Sequence, residues 1–248
     1  MIEVFQLRKS FGTHLVLHDV SFRVESGESV AIIGRSGGGK SVLLKHLIGL
    51  LIPDSGRVLI DGDDLCGLNE RQLLRIRQKF GMVFQGAALF DSMSVAENVS
   101  FALRRQRRFS DAEIRKKVAQ ALEVVELSGT ENKRPSELSG GMRERVGLAR
   151  AIIYEPQIVL YDEPTTGLDP VVSDSIDQLM MRVRDTLKVT TVVVTHDMRT
   201  ARRLGQKILM LYDKHIYATG TPEEIFASAD PVVHRFVNGI ASPKETMI

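Results

Sequence analysis

Ser29-Val30-Ala31-Ile32-Ile33, followed by Gly34-Arg35-Ser36-Gly37-Gly38-Gly39-Lys40-Ser41, decides the fold. The first five residues are a short, mostly apolar run of the kind that makes a buried strand. The next eight match G-x-x-x-x-G-K-[ST], and the pattern over residues 41–50 predicts a helix, so the glycines stand between strand and helix as a phosphate loop requires. Glycines let the backbone curl until its N–H groups converge on a phosphate at the positive end of the helix. Lys40 has the reach for β- and γ-phosphates, and the Ser41 hydroxyl suits Mg²⁺. The candidate nucleotide contacts here are Gly34, Arg35, Ser36, Gly37, Gly38, Gly39, Lys40, Ser41 and Val42.

Outward from this loop, residues 3–5, 16–17 and 20–24 read as short strands, and the turn Pro53-Asp54-Ser55-Gly56 leads into a strand over 57–60. Residues 80–85 read as a strand ending in Gln85. From about 87 to 155 strand signals give way to charged helical periodicity, with Ser110 and Glu113 forming a capping box for a helix over 111–127. A strand over 157–161, a helix over 172–187 and strands over 191–194 and 207–211 then resume the alternation of a largely parallel sheet. The expectation is an α/β core with a helical subdomain inserted into it.

Ile158-Val159-Leu160-Tyr161-Asp162-Glu163 is a mostly apolar strand ending in two acids, at the strand end where such sheets keep their ligands. Adjacent strand residues point to opposite sides, so the two acids can hold different jobs. Asp162 suits Mg²⁺ held through water, and Glu163 suits polarising an attacking water. Gln85 can contact Mg²⁺ or that water, and His196, after the strand over 191–194, can point at a γ-phosphate.

A second glycine-rich opening, Leu138-Ser139-Gly140-Gly141-Met142, precedes a helix carrying Arg143, Arg145 and Arg150. Ser139 is a good N-cap, and Gly140 and Gly141 bare their N–H groups, which makes another anion site. Binding of two separate phosphates is one reading. The more economical one is a nucleotide held between Lys40 of one copy and Ser139 of a second, with two such sites by two-fold symmetry.

Composition removes other classes. A net charge of +2 is too small for a phosphate-backbone binder, so no nucleic-acid partner is expected. A single cysteine, Cys66, excludes a disulfide framework and cysteine-based metal sites. Met1-Ile2-Glu3-Val4 shows no signal-peptide pattern and no apolar run approaches a bilayer span, so a cytoplasmic chain able to dock on a membrane protein is expected.

In order and approximate spacing, Gly34–Ser41, Gln85, Leu138–Met142, residues 158–163, Gly167-Leu168-Asp169 and His196 resemble the ATPase subunit of ATP-binding-cassette (ABC) transporters over essentially the whole chain. The resemblance implies an α/β P-loop NTPase fold: a mostly parallel core at about 1–86 and 156–220, an N-terminal antiparallel β subdomain, and a helical subdomain at about 87–155. It implies ATP and Mg²⁺ as cofactors, Lys40 and Ser41 on the triphosphate and its metal, Gln85 as the lid-loop glutamine, Glu163 as catalytic base, His196 as switch histidine, and Asp169 at a dimer seam. Phe11 falls at the adenine-stacking position, with a core role as the competing reading. Phe84, Ala87, Ala88, Leu89 and Phe90 are expected to line a groove for a helix of a permease.

The usual signature ends in glutamine, whereas this one ends in Met142. With Phe84–Phe90 and Val233–Ile240, that departure resembles the MlaF-like ATPases of MCE-associated lipid transporters. This narrower resemblance implies phospholipid trafficking, an MlaE-like permease, an MCE lipid-binding protein and, in some systems, a small STAS-domain partner. It also implies a place at the cytoplasmic face of a bacterial inner membrane, a dimer contact at about 221–241, and a loose tail at 242–248. The alternative is the ATPase of another ABC importer for an amino acid or other small solute. A DNA-maintenance ATPase is disfavoured, because the stretch between Lys40 and Leu138 is too short for a long coiled coil.

Overall fold

The computed structural model describes residues 1–106 and 108–241; Arg107 and the expected tail at 242–248 lie outside the described residues. The chain divides into two compact units, Met1–Cys66 with the stretch from Val193 onward, and Gly67–Val192. The whole of the expected helical stretch falls in the second unit.

The first unit contains a four-stranded antiparallel sheet ordered β2-β1-β4-β5, built from β1 (Ile2–Phe11), β2 (His14–Val24), β4 (Ser55–Ile60) and β5 (Asp63–Asp64). Where short strands are expected, β1 and β2 form one long hairpin. Alternation in β1 places Ile2, Val4 and Leu7 inside, with a bulge between Val4 and Leu7 where Gln6 takes φ 45°. The bulge breaks the period-2 pattern, which is why the sequence shows fragments. On the neighbouring strand Gly56 takes φ 87°, and a β-carbon there would collide with the carbonyl oxygens of Gln6 and Phe5.

Three further strands of this unit are β3 (Ser29–Gly34), β9 (Lys207–Tyr212) and β10 (His215–Gly220). β3 runs parallel to β9, with Gly34 opposite Leu211, and β10 closes antiparallel on β9. Every residue of β3 is buried, as expected for a strand covered on both faces. Helices α1 (Lys40–Leu47) and α7 (Met198–Leu204) pack on β3. Near the C-terminus, α8 (Pro222–Phe226) and α9 (Pro231–Val237) pack on each other, and α8 packs on β10.

The second unit pairs β6 (Phe80–Val83) parallel with β7 (Ile158–Asp162), and Gln85 lies two residues past β6 in a turn rather than at the end of a strand. Its helices are α2 (Glu70–Arg77), α3 (Val95–Gln106), α4 (Asp111–Val124), α5 (Gly140–Ile152) and α6 (Pro170–Leu187). β8 (Thr190–Thr195), buried throughout, begins in this unit and ends in the first. α5 is the hub, packing on α3, α4, α6 and β6. The Ser110–Glu113 capping box forms as expected. α4 stops at Val124, short of the expected 127, because Glu126 turns to φ 60° and its carboxylate pairs with Arg145 and Arg182.

Two substitutions separate backbone constraint from capping. Gly56→Ala is expected to lower unfolding free energy in urea by about 2–4 kcal/mol, because the added carbon meets backbone in a left-handed conformation. Ser110→Ala is expected to cost about 1 kcal/mol.

Candidate functional site

In the first unit, β3 delivers the chain to a loop that reverses at Gly37 (φ 73°) and Gly39 (φ 97°) and enters α1 at Lys40. Gly39 is the N-cap and provides no side-chain acceptor, and no acid stands in the first turn of α1. The positive end of that helix therefore faces the loop without a carboxylate to compete for it. A β-carbon at Gly39 would lie 3.0 Å from Leu17 Cδ2 and 3.2 Å from the Val16 carbonyl oxygen, so the loop lies closely on β2. Lys40 is only 5% exposed, and its Nζ donates to the carbonyls of Gly34 (2.9 Å) and Arg35 (3.0 Å), which hold the ammonium at the loop. Ser41 and Val42 follow in the first turn, half-buried.

A cleft of about 480 Å³ opens beside this loop, lined among others by His14, Val16, Gly37, Gly38, Tyr212 and Lys214. Arg35 lines it too, with its guanidinium 5.4 Å from the centre of the Tyr212 ring. Phe11 pairs with His14 across the hairpin and is 48% exposed, which removes the core reading of that side chain. The lining residues of β2 carry no clear signal in the sequence, because the β1–β2 hairpin reads as fragments there. His196 is exposed directly after β8, and Asp197 caps α7 through the Arg199 N–H.

In the second unit, Asp162 ends β7 and Glu163 follows it at φ 52°, both 9% exposed. The Thr166 hydroxyl donates to Glu163 Oε2 at 3.3 Å, and the Thr166 N–H donates to the Glu163 carbonyl. Among the described residues, no group of three or more His, Cys, Asp or Glu is arranged to hold a metal ion. The adjacent buried acids Asp162 and Glu163 at the end of β7 offer oxygen donors of the kind that suit Mg²⁺, which keeps waters and binds through one or two protein oxygens together with phosphate.

Ser139 caps α5, its hydroxyl accepting from Met142 N–H at 3.3 Å, and no acid stands in the first turn. Gly140 and Gly141 do more than bare N–H groups. A β-carbon at Gly141 would lie 2.6 Å from Val172 Cγ1, and one at Gly140 would lie 3.0 Å from Leu168 Cδ2. Both glycines thus let α5 close onto the segment carrying Asp169, whose carboxylate caps α6 through the Val171 and Val172 N–H groups.

The arginines after Ser139 brace this unit. Arg143 donates to the Leu138 carbonyl, Arg145 to Glu126, the Val125 carbonyl and Ser175, and Arg150 to the carbonyls of Ala87 and Ala88. Gln85 is exposed at the head of that same loop. Of the expected groove, Phe84 and Phe90 are exposed, with Phe90 against Phe101 at 4.7 Å between ring centres. Ala87 is fully buried and lines no groove, because its side chain lies against Gly147 of α5.

Glu144 is buried on α5. Burial pushes it up to about 7, against the opposing pull of Arg143, the Ala87 N–H and Arg150.

The strand, glycine loop and helix of the first unit, with an α/β architecture, define a P-loop nucleotide-binding protein. A family profile described as "ABC transporter" matches residues 17–166. The chain is 44% identical to the probable ribonucleotide transport ATP-binding protein mkl of Mycobacterium leprae (strain TN), over 96% of this chain and 69% of that one. The corresponding share of the Mycobacterium tuberculosis (strain ATCC 25618 / H37Rv) mkl protein is 66%. It is 38% identical to the intermembrane phospholipid transport system ATP-binding protein MlaF of Haemophilus influenzae (strain ATCC 51907 / DSM 11121 / KW20 / Rd), over 96% of this chain and 90% of that one. Among solved structures, the ATP-binding cassette MJ0796, dimeric and bound to ADP and Pi, superposes with a TM-score of 0.81 at 34% identity, covering 90% of this chain and 99% of the other. The chain belongs to the ABC transporter family. It is an ATP-hydrolysing subunit of an ABC transporter, with ATP and Mg²⁺ as cofactors.

Glu144 gives a pH dependence of definite sign. In the unfolded chain it loses its proton near 4.5, whereas in the fold it keeps it to about 7. Across that window the folded state binds more protons, so this group's contribution to stability falls as pH rises and levels off above it. The melting temperature of Glu144→Gln is expected to fall less than that of the parent between about pH 5 and about pH 8.

Proposed function

We propose that two copies of this chain close head-to-tail on ATP and drive a membrane permease. The observation that carries this reading is the pair of helix openings without acids, one at Gly39 and one at Ser139. Each is an anion site, and a triphosphate held by Lys40 of one copy and Ser139 of the other would use both. The dimeric cassettes of related sequence support it.

In this reading the N–H groups of Gly37, Gly38 and Gly39, with Lys40, bind and orient the phosphates. Ser41, Asp162 and Gln85 would hold Mg²⁺, which would supply neutralisation of charge on the phosphate oxygens. Glu163, oriented by Thr166, takes the proton of the attacking water, and His196 donates to the γ-phosphate. Phe11 stacks on adenine, and Asp169 lies at the seam. Residues 221–241 add a dimer contact, and Phe84 with Phe90 receives a helix of the permease. Among the described residues no helix is long and apolar enough to cross a membrane.

Two readings of the cargo follow from the relatives. Similarity to proteins named for transport of ribonucleotide (44% identical), sulfate/thiosulfate (40%) and methionine (35%) supports import of a small solute. Phospholipid trafficking, with an MlaE-like permease, an MCE protein and a STAS-domain partner at a bacterial inner membrane, is favoured by Met142 and by the MlaF relative matched over 90% of its length. Purification of the chain with its permease, followed by extraction and analysis of bound lipid, separates the two. Stoichiometric phospholipid is expected for the second and its absence for the first.

Glu163→Gln is expected to bind ATP, lose most turnover, and accumulate as a dimer in ATP by light scattering; full steady-state hydrolysis would remove Glu163 as base. Lys40→Ala and Ser139→Ala are each expected to abolish hydrolysis. Mixed together they should recover it, since one heterodimer site then keeps both wild-type residues; heterodimers without activity would give the shared site no support.

A further inference from the structure

The loop after Gln85 follows a costly path. Gly86, Ala87 and Ala88 take φ of 68°, 60° and 45° in succession, and two of these residues carry a β-carbon. A left-handed residue of this kind costs about 1–2 kcal/mol, so such a run persists only where its surroundings over-determine it. Those surroundings are one face of α5. The Arg150 guanidinium spans two carbonyls of the loop, from Nη2 to Ala87 at 2.5 Å and from Nη1 to Ala88 at 2.8 Å. The Ala87 N–H closes on the Phe84 carbonyl at 2.9 Å, and the buried Glu144 carboxyl stands beside it on the same face of α5. Between them, Gly147 leaves room for the loop: a β-carbon there would lie 3.1 Å from Ala87 Cβ and 3.3 Å from its Cα. Glu144, Gly147 and Arg150 are three apart in sequence, the spacing that shares a helix face. Arginine donors, a buried carboxyl and a steric contact thus all converge on Ala87 and Ala88, directly after Gln85.

We propose that Glu144, Gly147 and Arg150 are positioning residues for hydrolysis, holding the loop in its left-handed path and so fixing where Gln85 stands relative to Ser139 at the start of the same helix. The proposal rests on the reading of Gln85 as a contact to Mg²⁺ or the attacking water. None of the three touches nucleotide in this scheme; each acts through the loop. Arg150 is the centre of the clamp, because only a planar fork can satisfy two successive carbonyls at once. α5 then carries two functions on one rigid body, an anion site at its first turn and the loop of Gln85 along its side.

The test is a double-mutant cycle on the full chain, reading kcat, the KM for ATP and the Mg²⁺ concentration for half-maximal rate, with binding of a fluorescent ATP analogue measured separately. Arg150→Ala is expected to lower kcat about tenfold or more and to raise the Mg²⁺ requirement. Its affinity for the analogue should match the parent. Gln85→Ala is expected to do the same, and the double variant to be no slower than the slower single variant. Effects that multiply, or a parental kcat in Arg150→Ala, would overturn the clamp. Arg150→Lys serves where the alanine variant does not fold: it keeps the charge, cannot bridge both carbonyls, and is expected to show the same loss, so a parental kcat there also overturns the proposal. A parental kcat in Gln85→Ala alone removes the reading of Gln85, and the function of the clamp with it. That outcome differs from a clamp failure, in which Gln85→Ala is slow and Arg150 acts independently.

Discussion

An anion held by backbone N–H groups is the interaction on which this chain is built. Such groups bind only if the backbone is fixed before the anion arrives, since ordering a loop costs roughly 1–2 kcal/mol per residue. The first unit meets this demand by burial. β3 is inaccessible along its whole length and locked in register with β9, so the point where the chain leaves the sheet at Gly34 is set by the core. α1 fixes the other end of the loop through Leu43, Leu44 and Leu47, all fully buried. The glycines between these anchors then have one path, and the cationic Lys40 points along it.

The second unit treats α5 in the same way by different means. There the helix is anchored along its length by α3, α4, α6 and β6, and its first turn is pressed against the Leu168–Val172 segment. Both glycine-rich openings are thus helix ends whose helices cannot move without disturbing a core. Neither helix carries an acid in its first turn, although Asp and Glu are the residues most favoured there by the macrodipole alone. Giving up that local gain is intelligible where the position is reserved for a more strongly charged ligand.

What was legible in the sequence is what short-range chemistry dictates. The phosphate loop, the capping box of Ser110 with Glu113, and the apolar strand ending in Asp162 each declare themselves within a few residues. The hairpin of β1 and β2 did not, because bulges with Gln6 at φ 45° and Asp19 at φ 50° break the alternation that marks a strand. Gln85 reads as a strand end for a related reason, since Phe84 extends the apolar pair Met82-Val83, whereas the strand stops at Val83 and a turn begins at Gln85. The partners of Arg143, Arg145 and Arg150 were not legible. A row of arginines after a glycine-rich turn reads as an anion site, whereas their acceptors, the carbonyls of Ala87, Ala88, Val125 and Leu138, are backbone atoms without a sequence signal.

Strain marks where the two kinds of information meet. Glu163 at φ 52° and Ala87 at φ 60° both lie in conformations that glycine would adopt more cheaply, yet neither position is glycine. At Glu163 the carboxylate explains the choice, since Thr166 holds the strained residue by both its carbonyl and its side chain. At Ala87 the methyl group explains it: fully buried against Gly147, it gives the loop a fixed seat on α5, which glycine would leave loose. A loop that only had to turn would use glycine throughout. One that must return to the same place after every turnover is better served by a side chain that fits one hole, and by an arginine that closes over it.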